Sequence, residues 1–229
     1  MICIIAALMS TEIAAYFDLD GTILDASSEK TLTAHLAIRR PWRIPIGTTM
    51  WSLGFIGNLI RGRSLYDAAR NRGHFALASW DVLEQYSRKL AKEELIQKVP
   101  QIALDRLQWH REQGHRLVLV TATIAPMAEA MARELGMDEV YGCGPNIRQG
   151  IMSGSEKGWS VPRRKGKIAV VENDAKENGH DLEKCYGYGN TMADTWFMKK
   201  TGNPIAINPG KKMTQLAKSN GWKIEEWKL

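Results

Sequence analysis

The sequence predicts an α/β protein: a doubly wound parallel sheet interrupted after its first strand by a mainly helical insertion. Three observations carry this prediction. Short apolar runs closed by turn or polar residues recur at Ile13 to Phe17, Leu117 to Val120, Val140 to Cys143, Cys185 to Tyr188 and Ile205 to Ile207, as strands buried on both faces require. Helical patterns separate most of these runs. The first and second runs, however, are parted by a long stretch that reads as helices and is punctuated by Pro41, Pro45 and Pro100.

The first strand runs directly into Asp18-Leu19-Asp20-Gly21-Thr22. Two carboxylates one residue apart at a strand end repel each other unless a cation lies between them, so the spacing reads as a metal-assisted site with one Asp free to act as nucleophile. The same D-x-D-G letters also suit an Asx turn or part of a calcium loop.

Helices are then expected over Ser28 to Arg39, Trp51 to Arg61, Ser64 to Arg72, Ser79 to Leu90 and Glu93 to Gln113, with Ser64 and Asp67 spaced as a capping box. Within this insertion Ile44 to Ile60 carries no charge, ends at Arg61 and Arg63, and bears Trp51 and Phe55. It approaches the pattern of a membrane-seeking segment, but Gly47, Gly54, Gly57 and Asn58 weaken that reading. A buried helix of the insertion is preferred to a membrane-touching surface.

Leu117-Val118-Leu119-Val120-Thr121-Ala122-Thr123 ends a strand with a hydroxyl and leads into a helix, so Thr121 and the N–H groups that follow are placed to bind phosphate oxygens; a helix cap would use the same Thr. Pro126 to Leu135, closed by Gly136, is a well-punctuated amphipathic helix, and Ile168 to Asn178, closed by Gly179, is another. Lys167 follows Gly166 at the start of the second, where an ammonium can neutralise crowded carboxylates. Gly189-Asn190-Thr191-Met192-Ala193-Asp194 then sets oxygen ligands four residues apart just after a strand, as a hard cation requires. Each feature falls at the C-terminal edge of a strand, where open α/β sheets bind ligands.

Size and composition set the remaining bounds. With 229 residues, 44% hydrophobic and 24% charged, the chain can bury a sizeable core, and disorder is excluded. Cys3, Cys143 and Cys185 are far apart and form no C-x-x-C pair, so neither a disulfide framework nor a zinc site is indicated and a reducing cytoplasm is expected. The net charge of +6 is scattered apart from Arg163-Arg164-Lys165-Gly166-Lys167, and a small phosphorylated substrate accounts for it without nucleic acid. Met1 to Met9 is apolar but lacks a preceding basic residue and a cleavage site, which argues against a signal peptide. Met9 also reads as a start, leaving residues 1–8 as an extension.

Taken in order, Asp18-x-Asp20-x-Thr22, the Thr121 strand end, Gly166-Lys167 and Gly189-Asn190-Thr191-x-x-Asp194 closely resemble the haloacid dehalogenase superfamily, in its phosphoserine phosphatase-like branch. The resemblance extends to the trailing Asn203 to Pro209 segment and Gly221-Trp222. It implies a Rossmann-like core of residues 1–24 and 115–229 and a helical cap of residues 25–114. It also implies magnesium-dependent phosphomonoester hydrolysis, with Asp18 as nucleophile and Asp20 as general acid and base; the alternatives are a non-catalytic phosphate-binding or membrane-peripheral module, and a phosphotransferase or lipid-phosphate phosphatase using the same site. Thr121 and Lys167 would hold the transferred oxygens, with Gly21, Thr22, Ala122 and Thr123 around the phosphate. Magnesium would be held by Asp18, the Asp20 carbonyl, Asn190 and, directly or at one remove, Asp194. Lys165 is the rival for the lysine role, and the Gly before Lys167 favours the latter.

Two departures stand out. Asn190 replaces the family's usual Asp, removing one negative charge from the ligand set. Ser27 stands nine residues after the nucleophile, where phosphoserine phosphatases carry a Glu that pairs with the substrate amine.

Overall fold

The computed structural model describes residues 12–229, so the readings of residues 1–8 and of Cys3 lie outside it. Strands β1 (Ala14–Phe17), β2 (Arg116–Ile124), β3 (Glu139–Cys143), β4 (Tyr186–Gly189), β5 (Asn203–Ile207) and β6 (Lys223–Glu225) form one sheet in the order β3-β2-β1-β4-β5-β6. Every pairing is parallel. The chain winds outward from β1 through β2 and β3 and then crosses to β4. The switch point therefore lies between β1 and β4, where Ala15 pairs with both Leu117 and Tyr186.

The sequence Ala14-Ala15-Tyr16-Phe17 explains why β1 is central. All four residues are buried, and alternate side chains enter two different cores. Ala15 and Phe17 join Leu119, Met127 and Trp227 on one face, while Ala14 and Tyr16 join Val118, Val171 and Phe197 on the other. β6 escapes the strand pattern because Lys-Ile-Glu at a sheet edge needs no apolar run.

Helix α1 spans Ser28–Arg39, α2 Arg43–Ile60, α3 Leu65–Ala69, α4 Trp80–Leu90, α5 Gln101–Glu112, α6 Ala125–Leu135, α7 Lys165–Asn178, α8 Thr195–Met198 and α9 Lys211–Ser219. The stops of α6 and α7 are the expected glycines, Gly136 and Gly179, both left-handed. α3 starts as expected, with Ser64 Oγ accepting the Asp67 N–H. It ends well before Arg72, because Asn71 folds its amide back onto the carbonyls of Ala68 and Trp51 and accepts the Gly73 N–H.

Three expectations are corrected. The helix over Glu93 to Gln113 is broken: a π-turn (Ala91–Leu95) and a 3-10 turn (Ile96–Lys98) end at extended Val99, and α5 begins only after Pro100. Proline disfavours a helical residue before it, which forces the break. The strand carrying Thr121 runs on to Ile124 through a register shift against β3, so the helix starts after Ile124. Finally, Ile44 to Ile60 is helical within α2 but is not buried. Of α2 only Arg43 and Gly47 are inaccessible, while Leu53, Ile56 and Ile60 are exposed. Among the described residues no helix is long and apolar enough to cross a membrane.

Candidate active site

β1 delivers Asp18 to the switch point, where its N–H still donates to the Tyr188 carbonyl at 3.0 Å. The chain then turns tightly, with the Thr22 and Leu24 N–H groups both donating to the Leu19 carbonyl. Gly21 adopts φ +79°, and a Cβ there would lie 2.0 Å from Asn190 Nδ2, so the loop after β1 and the loop after β4 meet only because residue 21 has no side chain. The Asn190 Oδ1 is buried and accepts no hydrogen bond among the described residues.

Lys167, in the first turn of α7, is 2% exposed and donates to Asp18 Oδ1 at 2.6 Å and to Asp194 Oδ1 at 2.7 Å. The second oxygen of Asp194 accepts from the N–H and hydroxyl of Thr191 at 2.9 and 2.6 Å. Burial alone would lower the Lys167 pKa, but Asp18 and Asp194 outweigh it and hold the group above the ordinary ammonium range. Burial, with Asp194 adding to it, pushes the Asp18 carboxyl up to about 7 against the pull of Lys167. Lys165 points elsewhere, its ammonium 5.6 Å from the Trp196 ring.

Asp20 accepts from the Ser28 N–H at 3.0 Å at the start of α1 and from the Thr123 hydroxyl at 3.4 Å. Burial raises its pKa, with Ser28 opposing. Thr121 Oγ1 donates to Thr123 Oγ1 and accepts the Thr123 N–H, both at 3.2 Å, so that N–H is engaged within the loop. Asp18, Asp20, Thr121, Ala122, Thr123, Lys167, Asn190 and Asp194 all line one cavity of about 720 Å³. Gly21 and buried Thr22 lie behind that wall and do not line it.

Sequence reasoning missed the clasp across this cavity. Glu29, in the first turn of α1, meets Arg72 at 2.5 Å and His74 at 3.5 Å and accepts the Ile124 N–H at 3.2 Å. Burial opposes its charge, yet Arg72 and His74 hold its pKa below the ordinary carboxylate value. Arg72 also donates to the Ala122 carbonyl at 2.6 Å, tying the insertion to the Thr121 loop. On the other side Arg164 pairs with Asp67 at 3.2 Å, and the guanidinium groups of Arg70 and Arg164 lie 4.2 and 4.6 Å from the centre of the Tyr66 ring. An acid in a helix's first turn is ordinary, so nothing in the sequence marked Glu29.

A hard cation fits the amide oxygen buried here. The unpaired Asn190 Oδ1 lacks only a positive partner, and Asp18 supplies the charge. No group of three His, Cys, Asp or Glu side chains suited to a metal occurs among the described residues, so such a site would depend on neutral oxygens.

The family model for haloacid dehalogenase-like hydrolases matches residues 15–199, and the chain belongs to that family. It is an enzyme of the phosphatase type, and its resemblance to the phosphoserine phosphatase-like branch holds. The chain is similar to the phosphoserine phosphatase SerB1 of Mycobacterium tuberculosis, with 27% identity covering 94% of this chain and 71% of that protein. It is 22% identical to a histidinol-phosphatase of Neisseria meningitidis, covering 93% and 98% of the two chains. Among solved structures, a Bordetella pertussis protein of unknown function superposes with a TM-score of 0.75 at 25% identity, covering 93% and 98%. A phospho-aspartyl intermediate analogue of phosphoserine phosphatase superposes with a TM-score of 0.64 at 15% identity, covering 93% and 92%, which supports the doubly wound core.

Proposed function

We propose that this chain is a magnesium-dependent phosphomonoester hydrolase that works through an aspartyl phosphate on Asp18. The observation that carries the reading is the buried Asp18–Lys167–Asp194 chain of charges at the sheet's switch point, with Asp20 two residues beyond. Asp18 attacks phosphorus, and Lys167 neutralises charge on the transferred oxygens. Asp20, its pKa raised by burial, protonates the leaving oxygen and then takes the proton of the attacking water. Thr121, Ala122 and Thr123 bound the phosphoryl group. Phosphatases of this family generally use magnesium, which Asp18, the Asp20 carbonyl and Asn190 would hold and which would supply positive charge to the phosphoryl oxygens. Both Asp194 oxygens are engaged by Lys167 and Thr191, so Asp194 acts by positioning Lys167.

The leaving group is that of a small phosphorylated substrate recognised by the cap, residues 25–114. Phosphoserine itself is disfavoured: Ser27 lines the cavity without a charge, and the nearby acid, Glu29, is already neutralised by Arg72. A reducing, cytoplasmic setting belongs to the same proposal, supported by Cys143 and Cys185 as buried free thiols.

The test is phosphate release from an activated aryl phosphate over a magnesium titration. Asp18→Asn should abolish release with the fold intact, and Asp20→Asn should suffer less because a good leaving group needs no proton. Wild-type turnover in Asp18→Asn would end the covalent mechanism.

A further inference from the structure

We propose that α2 is a docking face for an anionic lipid bilayer, held parallel to the surface. At 3.6 residues per turn Trp42, Pro45, Thr49, Leu53, Ile56 and Ile60 fall in one stripe about 80° wide. Trp42, Leu53, Ile56 and Ile60 are 57%, 60%, 52% and 81% exposed. A stripe of that kind along an 18-residue helix is about 27 Å long and almost wholly apolar.

The opposite side of α2 is firmly seated. Trp51 Nε1 donates to the Ala69 carbonyl at 3.1 Å, and buried Arg43 donates to the Phe75 and Ala76 carbonyls. A Cβ on Gly73 would lie 2.4 Å from the Trp51 nitrogen, so the two backbones touch. The helix is thus a fixed ridge whose apolar side faces outward.

Charge decides what fits that side. From Lys30 to Tyr66 the sequence holds no Asp or Glu, while Arg39 and Arg40 precede α2 and Arg61 and Arg63 follow it, all four outside the protein core. A second copy of this chain would bring those arginine ends against arginine ends, whether the helices ran parallel or antiparallel, with no carboxylate to separate them. A bilayer with anionic headgroups accepts aliphatic side chains between its acyl chains and arginines at its phosphates simultaneously. α2 connects α1 and α3, which both line the active-site cavity, so docking holds that cavity close to the lipid surface.

Flotation of the full chain with phosphatidylcholine vesicles containing roughly one third phosphatidylglycerol tests this. The wild type should float with them and bind pure phosphatidylcholine far more weakly. L53E/I56E should stay behind, and R61Q/R63Q should lose roughly thirty-fold in affinity, at about 1 kcal/mol per basic side chain. Both variants should keep the wild-type rate on a soluble aryl phosphate, which shows that they fold. As a check independent of those variants, brominated lipids should quench more tryptophan emission in the wild type than in Trp42→Phe. The proposal is overturned if the wild type ignores anionic vesicles, if quenching is equal in the two proteins, or if the chain is a dimer that L53E/I56E separates.

Discussion

Nζ of Lys167 lies 2.6 Å from Oδ1 of Asp18, and both side chains are withdrawn from water. The contact makes the carboxylate usable: burial and Asp194 push the Asp18 pKa up to about 7, and the ammonium is what restrains it there. Lys167→Met removes that restraint, so Asp18 becomes still harder to ionise. The variant should lose roughly 10²- to 10³-fold in turnover, the scale of one lost charge-stabilising donor. The sign of the pH effect follows. Only ionised Asp18 attacks, and its pKa is higher in the variant, so residual activity should climb with pH above the range where the wild type levels off. A flat residual pH–rate profile would mean that Lys167 serves only the phosphoryl oxygens.

The pair of Glu29 and Arg72 acts on stability instead. Arg72 is 5% exposed, and Glu29→Gln would leave its guanidinium with only Glu156, 3.6 Å away, as an ionic partner. A loss of about 3 kcal/mol in unfolding free energy is expected, at the low end for a broken buried pair. Turnover should fall equally for phosphoserine and for phosphate esters without an amine. A selective loss of phosphoserine hydrolysis would reassign Glu29 to amine recognition.

The contrast between these two pairs shows what the sequence discloses. Asp18, Asp20, Thr121, Lys167, Asn190 and Asp194 were legible because each follows an apolar strand or starts a punctuated helix, so order along the chain predicts proximity at one sheet edge. The Glu29–Arg72 contact spans a separation of 43 residues between two elements of an irregular insertion, and no periodicity encodes it. The state of Ile44 to Ile60 was hidden for another reason. An uncharged helix reads alike whether its apolar side is covered or bare, and the distinction rests on α2 having neighbours on one side only. The break at Pro100 was visible as a residue but was outweighed by helical letters on both sides.

Asn190 offers a third test. Its Oδ1 is buried without a hydrogen-bond donor, in the cavity that Asp18 and Asp194 also line. Asn190→Asp adds a like charge to that cluster, which should lower the melting temperature when magnesium is absent. Millimolar magnesium should then raise the melting temperature more in the variant than in the wild type, because the added carboxylate strengthens the cation's attraction. Titration calorimetry should show tighter magnesium binding. Identical magnesium responses in the two proteins would place residue 190 outside the coordination sphere.

His110 is fully buried beneath the sheet: its Nε2 meets the Tyr188 hydroxyl at 2.9 Å and its Nδ1 meets His115 Nδ1 at 2.8 Å. Arg106 donates to the same hydroxyl at 3.1 Å. Burial, with His115 and Arg106 adding to it, drives the His110 pKa down to about 3, so the folded chain holds His110 neutral. Between pH 6.5 and 3 the unfolded chain therefore binds a proton that the folded chain refuses. Stability falls as pH is lowered through that window, by up to about 1.4 kcal/mol per pH unit from this group. His110→Gln keeps a donor and an acceptor but cannot titrate. It should be less stable than the wild type at pH 7.5, and its loss of stability between pH 6.5 and 5 should be smaller by about 2 kcal/mol. Urea unfolding midpoints at several pH values measure both effects, and parallel pH slopes for the two proteins would show that His110 takes up its proton without opening the fold.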